Sequence, residues 1–443
     1  MVDHWSTATQ RLVASLERAK ISFVPIVIQY RGDLNTEILN PFLFFTGHYR
    51  ERGDALFFNE LQVPDLYEIR HIDSGTAHVL DGDRKVGEIT YFPESQRLIR
   101  QVDWFDYSGH KIYSDKYSMQ GFKYCYSIYS NNKEKKQIFI DSDENEVISW
   151  DLESKQITLN YKEQRYGLRN LKDFVSFFLK WLEDKERLFP IEELYVNSLS
   201  TSLAVAGEKK AIPTTLFWQE QLHDEIPGNL RRQLENPLAL RRVIFESEQQ
   251  KERLEYLFPE PQHITYHYLG AIERFSRRHT FSKKAFTLTK SDEIFYLEEL
   301  AQMYPQLHWT IAAPTKVSDK LTKIGTDHQN IHICPQVTSE QIEELLLKHD
   351  WYFDFNKGPE VANIINKAYL QNYLIFTKKE LSKNFRYGIE VDDAGVWQEV
   401  IGECLNNRSK ELELLNELHK KNGLPGTSKM YRKLLNQTHE DKI

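Results

Sequence analysis

The run Phe217-Trp218-Gln219-Glu220, followed by Asp224-Glu225-Ile226-Pro227-Gly228-Asn229, holds the residue types best suited to chemistry in this 443-residue chain. An apolar strand over residues 215–218 ends in a polar, acidic loop. Pro227 then supplies a first-turn residue for the helix that follows. In an open α/β sheet, ligands bind where strands end and helices begin. Trp218, Glu220 and Asn229 are therefore candidate binding residues: an aromatic face, a carboxylate and an amide at one strand end. Trp218 reads equally as ordinary core. His223-Asp224-Glu225 has the makings of a base with two carboxylates, and reads more simply as a solvated acidic loop ahead of a helix. His263 and His267 stand four apart, the spacing of helical metal ligands, but they fall in a β-branched, aromatic stretch and read as structural histidines. No GxGxxG follows the first strand and no GxxxxGK[ST] occurs, so neither a dinucleotide nor a P-loop site is expected. No cofactor and no metal is called for.

The surrounding chain sets limits. Hydrophobic residues make up 40% and charged residues 28%, ordinary for a soluble globular protein. A net charge of -8 argues against nucleic acid as a partner, because phosphate binding needs clustered Lys and Arg in excess. No stretch approaches 18 apolar residues, the length needed to span a bilayer. Residues 1–5 lack the basic and apolar regions of a signal peptide. Cys125, Cys334 and Cys404 form no metal or redox motif and fit a reducing cytosol.

The elements that position the candidates follow from periodicity. Residues 5–19 read as an amphipathic helix and residues 24–28 as a buried strand. From 55 to 161, short alternating strands are separated by turn clusters such as Ser130-Asn131-Asn132. Phe122, Tyr124 and Tyr126 line one face there, and Lys123, Cys125 and Ser127 the other. Residues 104–112 and 139–147 look like two copies of one hairpin. From residue 170, helix and strand alternate, with strands at 194–196, 215–218, 243–245 and 264–268. After a crossover at 274–284, a second series follows at 285–289, 308–312, 330–333, 351–355 and 373–376. Helices are expected at 291–303, 340–348 and 361–370, and a long closing helix at 396–421. The closing polar run His419-Lys420-Lys421-Asn422 reads as its C-terminus. Alternation of this kind implies parallel sheets covered by helices. The expected fold is α/β, GT-B-like: two doubly wound Rossmann-like domains facing a cleft, with an antiparallel β-meander domain inserted in the first. The expected divisions are 1–54 and 162–275 for the first domain, 55–161 for the insertion, 276–395 for the second domain, and 396–443 for a closing helix and polar tail.

The loop Asp354-Phe355-Asn356-Lys357-Gly358-Pro359-Glu360 lies where active retaining GT-B enzymes carry two glutamates eight residues apart for the sugar and ribose of a nucleotide donor. Setting Lys367-Ala368 on the usual Glu-Ala places Lys367 at the second glutamate and Pro359 at the first, with Glu360 one position off. The first turn of that domain, Thr289-Lys290-Ser291-Asp292-Glu293, is acidic where a diphosphate would need cations. Asn356, Gly358 and Glu360 thus mark a degenerate donor loop.

The chain resembles the GtfB-type, non-catalytic subunits of the O-GlcNAc transferase that glycosylates serine-rich repeat adhesins. The resemblance runs over nearly the whole chain, through Pro41-Phe42-Leu43-Phe44-Phe45-Thr46-Gly47, Val102-Asp103-Trp104, Tyr195-Val196-Asn197-Ser198-Leu199-Ser200, the loop at 218–229, and Asn356-Lys357-Gly358-Pro359-Glu360-Val361. It implies a protein that is not an enzyme, stabilises a catalytic GtfA-type glycosyltransferase subunit, and helps it engage the Ser/Thr-rich adhesin acceptor. It also implies a two-plus-two heterotetramer, and a cytoplasmic location peripheral to the membrane near the accessory Sec machinery. It points to the β-meander as the surface through which the subunits meet. The alternatives are an active retaining glycosyltransferase using a nucleotide sugar, and a scaffold with no substrate contact. The tail past Gly426, polar and in part basic, has no assigned role.

Overall fold

The computed structural model describes the chain apart from residues 35–37, 51–52, 74, 94, 96, 185–189, 210–211, 221, 223, 237–238, 262, 273–274, 384–386, 392–393, 422–424 and 436–443. His223, Asn422 and residue 274 of the crossover lie outside the described residues. Two compact units result. One comprises residues 1–269 and 428–443, and the other residues 270–427.

The first unit opens with helix α1 (Thr7–Ala19), whose N-cap Ser6 accepts the Thr9 amide. The segment at 24–28 is extended, as its apolar run requires, but it makes only single parallel bridges, Val2 to Val27 and Ile26 to Leu39. It is not a laddered strand. Helix α2 (Pro41–Thr46) follows, capped by Asn40 and closed by Gly47 at φ 84°. Then comes one antiparallel sheet of ten strands in simple meander order. These are β1 (Tyr67–His71), β2 (Thr76–Asp81), β3 (Arg84–Tyr91), β4 (Ile99–Phe105), β5 (Lys111–Tyr117), β6 (Lys123–Ser130), β7 (Lys133–Ile140), β8 (Glu146–Asp151), β9 (Ile157–Tyr161) and β10 (Gln164–Leu168). The sheet runs past Tyr161 because Lys162 and Glu163 both take left-handed φ, 48° and 62°, and turn the chain into β10. Asn131 and Asn132 make the same kind of turn, but asparagine announces it and a Lys-Glu pair does not.

The two similar hairpins share one hydrogen-bond plan. Asp106 Oδ1 accepts the Ser108 and His110 amides, and Asp141 Oδ1 accepts the Asp143 and Asn145 amides. Gly109 and Glu144 each take left-handed φ.

The meander is not an appendage. Phe42 of α2 stacks on Phe139 of β7 at 4.2 Å between ring centroids, and lies 5.0 Å from Phe174. Phe174 belongs to α3 (Leu171–Asp184), whose buried stripe also includes Phe178, Trp181 and Leu182. Tyr124, Cys125, Ile148, Ile157 and Leu159 join the same core. Both faces of β6 are therefore covered in part: Cys125 and Ser127 are fully buried on one, and on the other Tyr126 is half-buried and stacks on Tyr113. Farther along the sheet, Val79, Val86, Ile89 and Val102 form a separate small core.

A four-stranded parallel sheet completes the unit: β11 (Leu194–Val196), β12 (Thr214–Trp218), β13 (Leu240–Phe245) and β14 (Thr265–Tyr268). Helices α4 (Thr201–Glu208), α5 (Gly228–Glu235) and α6 (Glu248–Leu257) connect them. Pro227 is the N-cap of α5 rather than its first-turn residue. The Met1 amino group donates to Tyr195 O at 2.6 Å, and the Val2 and Ile28 backbones bond to each other's strands. The order across the sheet is thus Leu39, Val27, Val2, β11, β12, β13, β14. It reverses direction between Val2 and β11, the signature of a doubly wound sheet.

The second unit holds six parallel strands in the order β17-β16-β15-β18-β19-β20. These are β15 (Lys284–Leu288), β16 (His308–Ala313), β17 (Ile331–Pro335), β18 (Trp351–Asp354), β19 (Leu374–Thr377) and β20 (Ile389–Glu390). The intervening helices are α7 (Leu297–Met303), α8 (Asp319–Asp327), α9 (Ser339–Lys348) and α10 (Ile364–Leu370). Helices α7 and α10 start several residues later than periodicity suggested. The closing helix is two helices, α11 (Ala394–Asn406) and α12 (Arg408–Lys421), divided at Asn407, whose side chain caps α12 through the Ser409 amide. The chain then returns to the first unit as α13 (Ser428–Leu435). No helix among the described residues is long and apolar enough to cross a membrane.

A buried polar cluster anchors the second sheet. Asp350 is 0% exposed and accepts Arg277, Thr280 and the Ser282 amide. Burial alone would raise its pKa, but those hydrogen bonds outweigh it and hold the carboxyl well below the usual range. His279 bridges to Glu411 of α12 at 2.7 Å, and Trp351 donates to the same carboxylate.

Two outcomes follow. Phe42→Ala removes a ring shared by α2, α3 and the meander and should cost about 3–5 kcal/mol in denaturant unfolding. The depressed Asp350 contributes stability that is complete above its unfolded pKa of about 3.9 and is lost as pH falls below it. Asp350→Asn should therefore flatten the fall in stability of the second unit between about pH 5 and 2, read by thermal melts across that range.

Candidate functional site

In a doubly wound sheet the ligand crevice opens at the carboxyl ends of the strands flanking the switch point. Each unit has one, and the two differ.

In the first unit the flanking residues are Asp3, after Val2, and Asn197, after β11. Asp3 is 3% exposed and accepts the Ser202 hydroxyl at 2.8 Å. Asn197 Nδ2 donates to Thr9 Oγ1 at 2.9 Å and to Gln219 Oε1 at 2.8 Å. Gln219 Nε2 in turn reaches Ala8 O at 2.9 Å, tying the loop after β12 to the first turn of α1. Three further ties hold that loop: the Leu222 amide to Gln250 Oε1 at 2.7 Å, Asp224 to Arg253, and Asn229 Nδ2 to Leu199 O. Glu220 stands exposed on this fixed loop, as do Asp224 and Glu225.

Trp218 does not act as an aromatic platform. It is 4% exposed, packs 5.9 Å from Phe245, and donates its indole N–H to Glu220 O. A side chain in a strand whose five positions are all buried belongs to the core. Its effect on the loop is to hold the backbone of Glu220. Asn229 is exposed, but its amide N–H is engaged by Leu199 O. Sequence reasoning passed over Asp3, Asn197 and Gln219 as site residues. The signal was present for two of them: Asn197 and Gln219 are each the first polar residue after an apolar strand. His267, half-buried beside Arg242, bonds to Thr265 Oγ1 at 2.8 Å, and burial lowers its pKa.

The switch point of the second unit lies between β15 and β18, and its two loops pair with each other. The Phe295 amide donates to Phe355 O at 2.9 Å, the Lys357 amide to Glu293 O at 3.1 Å, and Ile294 bridges Asn356 antiparallel. Gly358 permits this approach, because a Cβ there would sit 3.1 Å from Ser291 Cβ. Asp292 and Glu293 consequently lie in the pairing loop rather than at a helix N-terminus. The acids of the first turn of α7 are Glu298 and Glu299. Lys383 lies at this edge and is neutralised: Nζ contacts Asp354 Oδ1 at 2.5 Å and Asn356 O at 2.7 Å. Asn356 is 1% exposed, and both polar atoms of its amide are buried without a hydrogen-bond partner. Glu360 accepts the Ile365 amide at 2.9 Å and so caps α10. Lys367 turns to Glu343 of α9 at 2.8 Å. Every side chain assigned to the degenerate donor loop is thus committed to local structure or enclosed by it.

The isolated chain should show no micromolar heat of binding with UDP-GlcNAc in calorimetry, since the crevice is bridged by backbone and Lys357 and Lys383 are paired with carboxylates. Glu360→Gln keeps an acceptor for the Ile365 amide and should leave glycosyl transfer by the complex within about twofold, because a retained neutral hydrogen bond costs well under 1 kcal/mol.

Comparison with known proteins gives these features their context. Residues 67–168 match the GtfB middle domain, 172–257 the GtfB third domain, and 285–415 the GftB/GlyA-F C-terminal domain. A Streptococcus gordonii protein named UDP-N-acetylglucosamine--peptide N-acetylglucosaminyltransferase stabilizing protein GtfB is 31% identical over 85% of this chain and 83% of its own length. The Streptococcus agalactiae protein of the same name is 29% identical over 85% of this chain and 84% of its own. A chain of a solved GtfA/B complex bound to UDP and GlcNAc superposes with a TM-score of 0.88 at 28% identity, over 98% of both chains. The pneumococcal O-GlcNAc transferase GtfA shares the fold, with a TM-score of 0.58 at 12% identity over 99% of this chain and 98% of its own. The chain belongs to the GtfB family of glycosyltransferase-stabilizing proteins.

Proposed function

We propose that this chain is the non-catalytic partner of an O-GlcNAc transferase: it stabilises the catalytic subunit and helps present a Ser/Thr-rich adhesin acceptor. The observation that carries the non-catalytic part is the bridged switch point of the second unit, where Lys383 is neutralised by Asp354 and Glu360 caps a helix. Family membership supports the stabilising part, since the relatives carry that role in their names. The partner is a GtfA-type glycosyltransferase, in a two-plus-two assembly. The complex is cytoplasmic and peripheral to the membrane.

The acceptor lies on the first unit, along the loop after β12. An unfolded Ser/Thr-rich chain offers backbone amides and hydroxyls but little apolar area. Glu220 and Glu225 present carboxylates to such donors from a loop held by Asn197, Gln250 and the Arg253–Asp224 pair. Preorganisation of this kind lowers the entropy lost on binding. Trp218 and Asn229 position the loop rather than touch the acceptor.

The partner docks on the outer surface of the meander. Tyr107 is 90% and Leu66 88% exposed, and β1 is an edge strand with open backbone groups. Deleting residues 55–161 would remove Phe139, Ile148 and Leu159 from the core of the first unit. The deletion therefore cannot separate docking from folding, and point variants on the edge are needed.

The testing experiment co-expresses the chain with its catalytic subunit. Size exclusion should show co-elution, and transfer from UDP-GlcNAc to an adhesin peptide should fall when the chain is omitted. Glu220→Ala should weaken acceptor binding about three- to tenfold, the scale of one lost ordinary hydrogen bond, with an unchanged melting temperature. Unaltered acceptor affinity in the folded variant would remove the binding role of this loop. Transfer at full rate without this chain would remove the stabilising role.

A further inference from the structure

The tail that carried no role in the sequence forms α13, and the structure gives it two faces. Tyr431 and Leu435 are 1% and 2% exposed and pack into the first unit. Arg242 donates to Leu434 O at the end of the helix, and Ser428 Oγ donates to Arg18 O at 3.0 Å at its start. The apolar face is therefore spent on the protein, and the opposite face is open: Lys429, Arg432 and Lys433 are exposed around Met430, itself 41% exposed. The Ser428 contact places the C-terminal end of α1 alongside, where Arg18 and Lys20 are also exposed. The two helices carry one acidic residue between them, Glu17. A chain of net charge -8 thus places five exposed cations on these two adjoining helix ends.

We propose that this surface, formed by the exposed face of α13 and the end of α1, is an electrostatic contact site for an anionic lipid bilayer. The inference deepens the peripheral location given above and rests on no other part of that reading. The patch lacks what a specific protein partner requires, an aromatic anchor or a groove with few charges at its centre. It has what an anionic leaflet attracts, basic residues spread over a helix face, each adding to an attraction that salt screens. Because the apolar face of α13 is buried, the contact is made at the headgroups and does not involve insertion of the helix into the acyl region.

The test floats the full chain with phosphatidylcholine vesicles containing about 30% phosphatidylglycerol, at low and at physiological salt. The variant Lys429→Glu, Arg432→Glu, Lys433→Glu is compared with Lys316→Glu, Lys320→Glu, Lys323→Glu, which makes the same charge change at exposed positions of the second unit. The expected result is salt-sensitive binding of the wild type, no binding to pure phosphatidylcholine, a loss of more than about tenfold in the first variant, and retention in the second. Absence of wild-type binding, or equal losses in both variants, overturns the proposal. Capture of the wild type by an acidic peptide or by heparin, with no vesicle binding, also overturns it and assigns the patch to an acidic macromolecule. Transfer activity of the complex in solution reads the proposed function separately, so either can fail alone.

Discussion

The ring of Phe42 sits between Phe139 of the meander and Phe174 of α3, and much of the first unit depends on that contact. Helix α2 is only six residues long and all six are buried, so packing rather than helix propensity holds it. Its packing joins a ten-stranded antiparallel sheet to a parallel one through a single core. An isolated meander of this length would leave both faces to water. Here one end of it shares the Rossmann core, while the far strands keep a small core of their own. The far end is left free to present an edge strand and exposed aromatics, on a base made rigid by the shared core.

The two switch points show how one topology can serve opposite ends. In both units the order of strands reverses, and in both the crevice should lie at the carboxyl edge. In the first, amide side chains tie the loops together and leave carboxylates standing outward. In the second, the loops hydrogen-bond to each other through their backbones, and the lysine at the edge is paired with a buried aspartate. Residue types are not all that sets this edge apart: its two loops are paired backbone to backbone, which glycine at 358 allows.

The C-terminal tail ties the ends of the chain together. After the second unit, α13 returns to α1 and is fixed by Arg242, which also contacts Glu193 and Thr215. A guanidinium that is 9% exposed and satisfied by three partners holds the helix end without an unpaired buried charge. That fixation exposes the cationic side of the tail.

Periodicity determined much of the succession of elements. Alternation at residues 122–128 marked a strand, apolar runs at 215–218 and 351–355 marked buried parallel strands, and turn residues at 108–109 and 130–132 marked hairpins. Local sequence carries these because each depends on near neighbours. The acidic loop after β12 was legible for the same reason, whereas the offset of Glu360 emerged only from alignment with retaining GT-B enzymes. What depended on distant partners was not. The Lys162-Glu163 turn gave no sign, since neither residue favours left-handed backbone. Trp218 could not be told from a binding platform until β13 and Phe245 were set beside it. Asp3, Asn197 and Gln219 lie at three separated positions in the chain, and only the parallel order of the sheet brings them to one edge. The pairing of residues 293–295 with 355–357 likewise exists only once β15 and β18 are neighbours, because backbone hydrogen bonds carry no residue code.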